Sequence, residues 1–139
     1  MSDSQRFPVA THALAYLAHR DAMSPEKAVS SVELAASIPT NPVVIRRVTG
    51  QLAQAGLVGT RAGAKGGAWL LRGADEIRLD EVLRAVGGCV HLGVAPPGAK
   101  GCPVGERIPR AVAQAIDAAD RAAAERLSRI TVADLLNAA

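Results

Sequence analysis

Between residues 30 and 71 the chain is punctuated so closely that few folds stay open to it. Ser30-Ser31-Val32-Glu33 has the spacing of a capping box: the Ser30 hydroxyl accepts from the Glu33 amide, and the Glu33 side chain reaches back. A helix over 32–37 follows, expected to bury Val32, Leu34, Ala35 and Ile38, and Pro39 stops it within two turns. Asn41-Pro42 starts another at once, with Asn41 as N-cap and Pro42 at the first helical position. Val44/Ile45, Val48, Leu52 and Ala55 carry that helix forward at helical spacing until Gly56 closes it in a left-handed cap. A short helix, a tight turn and a longer helix predict a helix-turn-helix, a motif whose second helix enters the major groove N-terminus first.

Residues 57–61 and 68–72 then read as two strands around the tip Ala62-Gly63-Ala64-Lys65-Gly66-Gly67. The expected fold class is mainly α with a small β-hairpin wing: a winged helix-turn-helix followed by a long dimerisation helix. Charge supports a polyanionic partner. No Asp or Glu lies between Glu33 and Asp75, whereas Arg46, Arg47, Arg61, Lys65 and Arg72 do. Residues 1–72 hold eight Lys and Arg against four Asp and Glu, and residues 73–139 hold eight against nine, so the basic excess belongs to the first half.

The expected DNA-binding residues are Ser31, Thr40, Asn41, Val43, Arg46 and Arg47 on the helix pair, with Arg61 and Lys65 on the hairpin. Arginine takes a guanine edge bidentately, valine meets a thymine methyl, and Asn41 serves either the cap or a phosphate. The three glycines of the tip allow close approach to a sugar–phosphate backbone. The tip is no phosphate-cradling P-loop, because the Gly-Lys-Ser/Thr ending and the strand-to-helix context are missing.

Around this core the chain reads simply. Residues 8–19 form a first helix with Pro8 in its first turn and Ala10, Ala13, Leu14, Leu17 and Ala18 on one face; residues 21–29 are a loop. Residues 75–86 form a helix burying Ile77, Leu79, Val82, Leu83 and Val86. Residues 87–105 are rich in glycine and proline, hold both cysteines and His91, and fit no regular element; so long a loop in so short a chain suggests function or disorder. An Ala-rich helix follows from Ile108-Pro109, within a segment over 106–130. Its stripe of Ile108, Val112, Ile116, Ala119, Ala123 and Leu127 is suited to meeting its own copy, since small side chains let helices approach. A homodimer is expected, because two modules read two half-sites where one makes too few contacts. Thr131-Val132-Ala133-Asp134 caps a last short helix. The domain division expected is residues 1–75, the winged module, and 76–139, the loop and dimerisation helix.

With a single Phe, Tyr and Trp in 139 residues, the core must be aliphatic. No apolar run approaches a membrane span, and the polar start, Met1 to Arg6, has no signal-peptide core, so the cytoplasm is the expected compartment. No Ser–His–Asp set, carboxylate pair or nucleotide fingerprint argues for an enzyme. A protein–protein adaptor built on the same fold is the competing class, and the acid-free face weighs against it.

Taken together, the chain resembles the Rrf2 family of winged-helix transcription regulators, the IscR, NsrR and CymR group, over nearly its whole length. The resemblance is carried by Ser31-Val32-Glu33-Leu34-Ala35, by residues 44–56 with Leu52-Ala53-Gln54-Ala55-Gly56-Leu57-Val58, by the wing over 61–67 and by residues 80–86. Cys102-Pro103-Val104-Gly105 looks like the YwnA-like branch. The resemblance implies a DNA-binding homodimer, most simply a repressor, whose long helices cross. It also implies a sensor loop over 87–105, Arg46 and Arg47 in the groove, and Arg61 and Lys65 at the minor groove or backbone. Two departures stand out. Ala68 occupies a place where many members carry Tyr, and the cluster-binding members carry three loop cysteines where this chain has Cys89 and Cys102.

Twelve residues separate the two cysteines, which excludes a redox Cys-x-x-C pair. Four readings remain open: incidental small residues, a pair of sensing thiols, a metal or iron–sulfur site, and a loop that binds a small effector. An iron–sulfur cluster or zinc would need further ligands. His91 lies two residues from Cys89, and the resemblance implies a ligand from a partner's first helix, where His12 sits.

Overall fold

The computed structural model describes residues 3–138; Met1 and Ser2 of the polar start, and Ala139, lie outside the described residues. Ala10, Ala13, Leu14 and Leu17 fall on one face of α1 (Asp3–His19), and all four are fully buried. The helix begins five residues before Pro8, where the sequence predicts its start. Proline's fixed φ is helical, so Pro8 stands in the second turn at the loss of one backbone hydrogen bond.

In α2 (Ser31–Ser37) Ser30 Oγ accepts the Glu33 N–H at 3.1 Å, as half of the expected capping box requires. The other half does not form, because the Glu33 carboxylate pairs with Arg20 instead. Leu34 and Ala35 are buried, but Val32 is 66% exposed, contrary to expectation. The short helix has only one core-facing side, and Val32 faces an open concavity. α3 (Pro42–Gln54) starts where Asn41 Oδ1 accepts the Val43 N–H at 2.8 Å. Ile45, Val48 and Leu52 are fully buried beneath it, and Gly56 ends it at φ 77°.

β1 (Val58–Arg61) and β2 (Gly67–Leu70) pair antiparallel, with Val58 opposite Leu70 and Arg61 opposite Gly67. Residues 21–29, expected as a plain loop, form a third flank of this hairpin. Val29 exchanges both backbone hydrogen bonds with Ala68 at 2.9 Å, and the Leu70 N–H reaches the Ala22 carbonyl at 2.7 Å.

The helix expected over 75–86 is broken in two: a single 3-10 turn (Ala74–Glu76), then α4 (Leu79–Ala85). The chain's C-terminal segment explains the break. The Ile77 carbonyl accepts from Val132 at 3.0 Å and the Leu79 N–H donates to Ile130 at 2.9 Å, so neither group is free for a continuous helix. Ile77, Leu79, Val82 and Val86 are buried as expected, whereas Leu83 is half-buried. α6 (Val132–Ala138) is capped reciprocally by Thr131 and Asp134 and packs against α1.

Residues 1–88 together with 128–139 form one compact unit, and residues 89–127 form another. The second holds α5 (Pro103–Leu127), shifted towards the N-terminus from the expected 106–130. It starts early because Cys102 Sγ accepts the Gly105 N–H at 3.4 Å, placing Pro103 at the first helical position. It ends early because Ile130 and Val132 are engaged with residues 77–79. Among the described residues no helix is long and apolar enough to cross a membrane.

Candidate nucleic-acid interface

The helix-turn-helix leaves one face of α3 uncovered. Val43 is 54% exposed there, Arg46 and Arg47 are exposed, and Thr40 is half-buried in the turn before it. Asn41 is exposed, but its side-chain oxygen is already engaged as the helix cap. Arg46 is held in place: its Nη1 donates to Ser31 Oγ at 3.2 Å. A serine partner is neutral, so this bond orients the guanidinium and leaves its charge uncompensated. The side chain of Arg47 makes no hydrogen bond or ion pair with the described residues, nor does that of Lys65 at the hairpin tip.

Arg61, expected on the hairpin beside the tip, also makes contacts within the protein. Its Nη2 donates to the carbonyls of Pro25 at 3.3 Å and Lys65 at 3.2 Å, so it ties the tip to the 3-10 turn Pro25–Lys27. Arg72 leaves the basic set altogether. Both of its terminal nitrogens engage the Glu81 carboxylate, at 3.1 and 3.2 Å, and one also meets the Glu76 carbonyl. That guanidinium, together with the Arg78 N–H at 3.1 Å, holds the Glu81 carboxyl below the usual carboxylate range.

Between the first turn of α2, the outer face of α3 and the hairpin lies an open concavity of about 510 Å³. Ser31, Val32, Arg46, Gly50 and Thr60 line it, and no carboxylate does. Ser31 and Arg46 were expected here; Val32, Gly50 and Thr60 were not. A helical signal for Gly50 exists in the sequence, since it follows Arg46 by four residues and shares its face. Two of the three tip glycines serve the hairpin itself rather than an outside partner. A Cβ on Gly66 would lie 2.0 Å from the Arg61 carbonyl oxygen, and one on Gly67 would lie 2.2 Å from that of Val29.

Within the unit over residues 89–127, Cys89, His91 and Cys102 do not gather into one centre. His12 Nε2 lies 3.0 Å from Ser37 Oγ. His91 Nδ1 lies 3.0 Å from Asp120 Oδ2 on α5, whose other oxygen accepts the Leu92 N–H, also at 3.0 Å. Cys89 and Cys102 are exposed free thiols. Among the described residues no three His, Cys, Asp or Glu side chains lie together as a metal ion would need. The donor set within one chain therefore does not fit zinc or an iron–sulfur cluster, each of which takes four ligands. Four of the six residues of the expected dimer stripe are exposed, Ile108 (48%), Val112 (41%), Ala119 and Ala123, while Ile116 and Leu127 are half-buried.

Residues 3–138 match the profile of the Rrf2 family, described as iron-dependent transcriptional regulators. The chain is 33% identical over 139 residues to YwnA of Bacillus subtilis (strain 168), a protein named as an HTH-type transcriptional regulator, with 96% of each chain covered. It is similar to a protein from Lactobacillus plantarum described as a transcriptional regulator, whose crystal structure superposes with a TM-score of 0.75. That likeness has 28% identity and covers 96% of this chain and 88% of that one. The oxidised form of Staphylococcus aureus CymR shares the fold, with a TM-score of 0.70 and 21% identity over 97% of this chain and 95% of that one.

Proposed function

The chain belongs to the Rrf2 family of DNA-binding transcription regulators, which are not enzymes, and we propose that it acts as a homodimeric, sequence-specific repressor reading duplex DNA through α3. One observation carries this reading. The outer face of α3 presents Arg46, on a neutral serine, and Arg47, without a side-chain partner among the described residues, beside a concavity that no carboxylate lines. Val43 supplies an apolar contact for a thymine methyl, and Lys65 supplies charge at the hairpin tip. The exposed Ile108 and Val112 on the stripe of α5 support pairing with a second copy, which doubles the number of bases read.

The test uses duplexes enriched by the protein from a random pool. The Arg46→Ala, Arg47→Ala double variant should bind them about a hundredfold more weakly, since each arginine–base contact is worth about 1–3 kcal/mol. Its dimer mass should not change. Unaltered affinity would remove α3 from the interface.

Regulation through residues 87–105 is part of the same proposal. Cys102 is exposed and its sulfur caps the helix that carries the dimer stripe, so modification there acts on the helix start directly. Alkylating the thiols should weaken operator binding by the wild type and leave a Cys102→Ser variant unaffected; equal responses would make the sulfur incidental.

A further inference from the structure

Thirteen glycines occur in the chain, and twelve have a local reason to be glycine. Each of those twelve either adopts a positive φ or sits where a Cβ would strike a neighbouring atom. Gly50 does neither. It lies in the interior of α3, exposed, and a Cβ built there would meet nothing within 4 Å. Glycine is among the worst residues for a helix interior, because it gives up the most backbone freedom on folding and shields nothing. The chain thus carries a locally unfavourable residue at a position where alanine would fit within the protomer.

The surroundings of Gly50 say what the missing side chain leaves room for. It follows Arg46 by one helical turn and lines the same concavity between α3 and the hairpin. The concavity's polar side chains include the hydroxyls of Ser31 and Thr60 and the guanidinium groups of Arg46 and Arg61, the side-chain types that commonly meet phosphate and sugar oxygens, whereas the Ser30 and Thr49 hydroxyls are engaged within the protein. A helix lying in the major groove and a hairpin at the neighbouring minor groove have one DNA strand passing between them. We propose that this concavity seats the sugar–phosphate backbone of that strand, and that Gly50 is a close-approach position where the backbone packs against the helix itself. This inference rests on the DNA-binding reading above and adds a specific occupant and a specific residue to it.

Substituting Gly50→Ala separates folding from binding, because the two effects have opposite signs. The Ala variant should melt about 3 °C higher, as expected for replacing an unstrained glycine in a helix. It should also bind the enriched duplex about tenfold or more weakly, since an added methyl at a packed contact forces the partner away. Gly50→Leu, another good helix former, should lose more affinity while still folding. A higher melting temperature with unchanged affinity would overturn the proposal. So would a lower melting temperature or an altered dimer mass, either of which would assign the glycine to the protein's own packing. Should the wild type bind no duplex, the DNA-binding reading itself fails, and that result is visible before any variant is made.

Discussion

Glu81 shows how a single carboxylate can be withdrawn from the outer surface and put to structural use. It accepts from both ends of the Arg72 guanidinium and from the Arg78 N–H, so its ionised form is favoured in the folded chain. A carboxyl whose folded pKa lies below its unfolded value contributes stability that is complete above about pH 4.5 and fades as pH falls through the depressed value. Glu81→Gln should therefore cost about 1–2 kcal/mol in urea titrations at pH 7. The gap between variant and wild type should narrow as pH falls below about 4.5 and through the depressed value. A gap independent of pH would mean that packing, not charge, is what Glu81 contributes. At this scale the sequence was partly misleading. Arg72 stands in the acid-free stretch and counts among its cations, yet its partner, nine residues on, could be found only once the fold had brought the two together.

Among the elements, the helix pair was legible almost residue by residue, because caps and stops are local chemistry. Ser30, Asn41 and Gly56 each do what their side chains or backbone freedom dictate. What could not be read locally was every feature made by distant backbone. The third flank of the hairpin depends on Val29 meeting Ala68 across 39 residues, and the broken helix over 74–85 depends on residues 130–132 coming back to pair with it. The concavity follows from the same cause, since it exists only once α2, α3 and the hairpin are assembled. The hairpin's dependence on that third flank can be measured. Gly67→Ala would push a methyl into the Val29 carbonyl at a φ of 148° that L residues rarely adopt. It should destabilise the protein by about 2 kcal/mol or more in thermal or urea melts. A neutral result would mean that the Val29–Ala68 bridge is not maintained in solution.

For the whole molecule the decisive question is whether the basic face is presented once or twice. No residue of α5 is fully buried, and its apolar stripe runs the length of the helix. Two copies joined there would hold two α3 helices for two half-sites, and Ile108→Glu with Val112→Glu should both halve the solution mass and abolish tight binding. The most direct test is to select duplexes from a random pool with the wild-type protein and read the enriched sequences. The account predicts an inverted repeat whose half-sites are centred about 10 base pairs, or a multiple of that, apart. The repeat should be lost when Arg46 and Arg47 are both alanine. Enrichment of a single asymmetric site, or no enrichment beyond that of the double alanine variant, would contradict it.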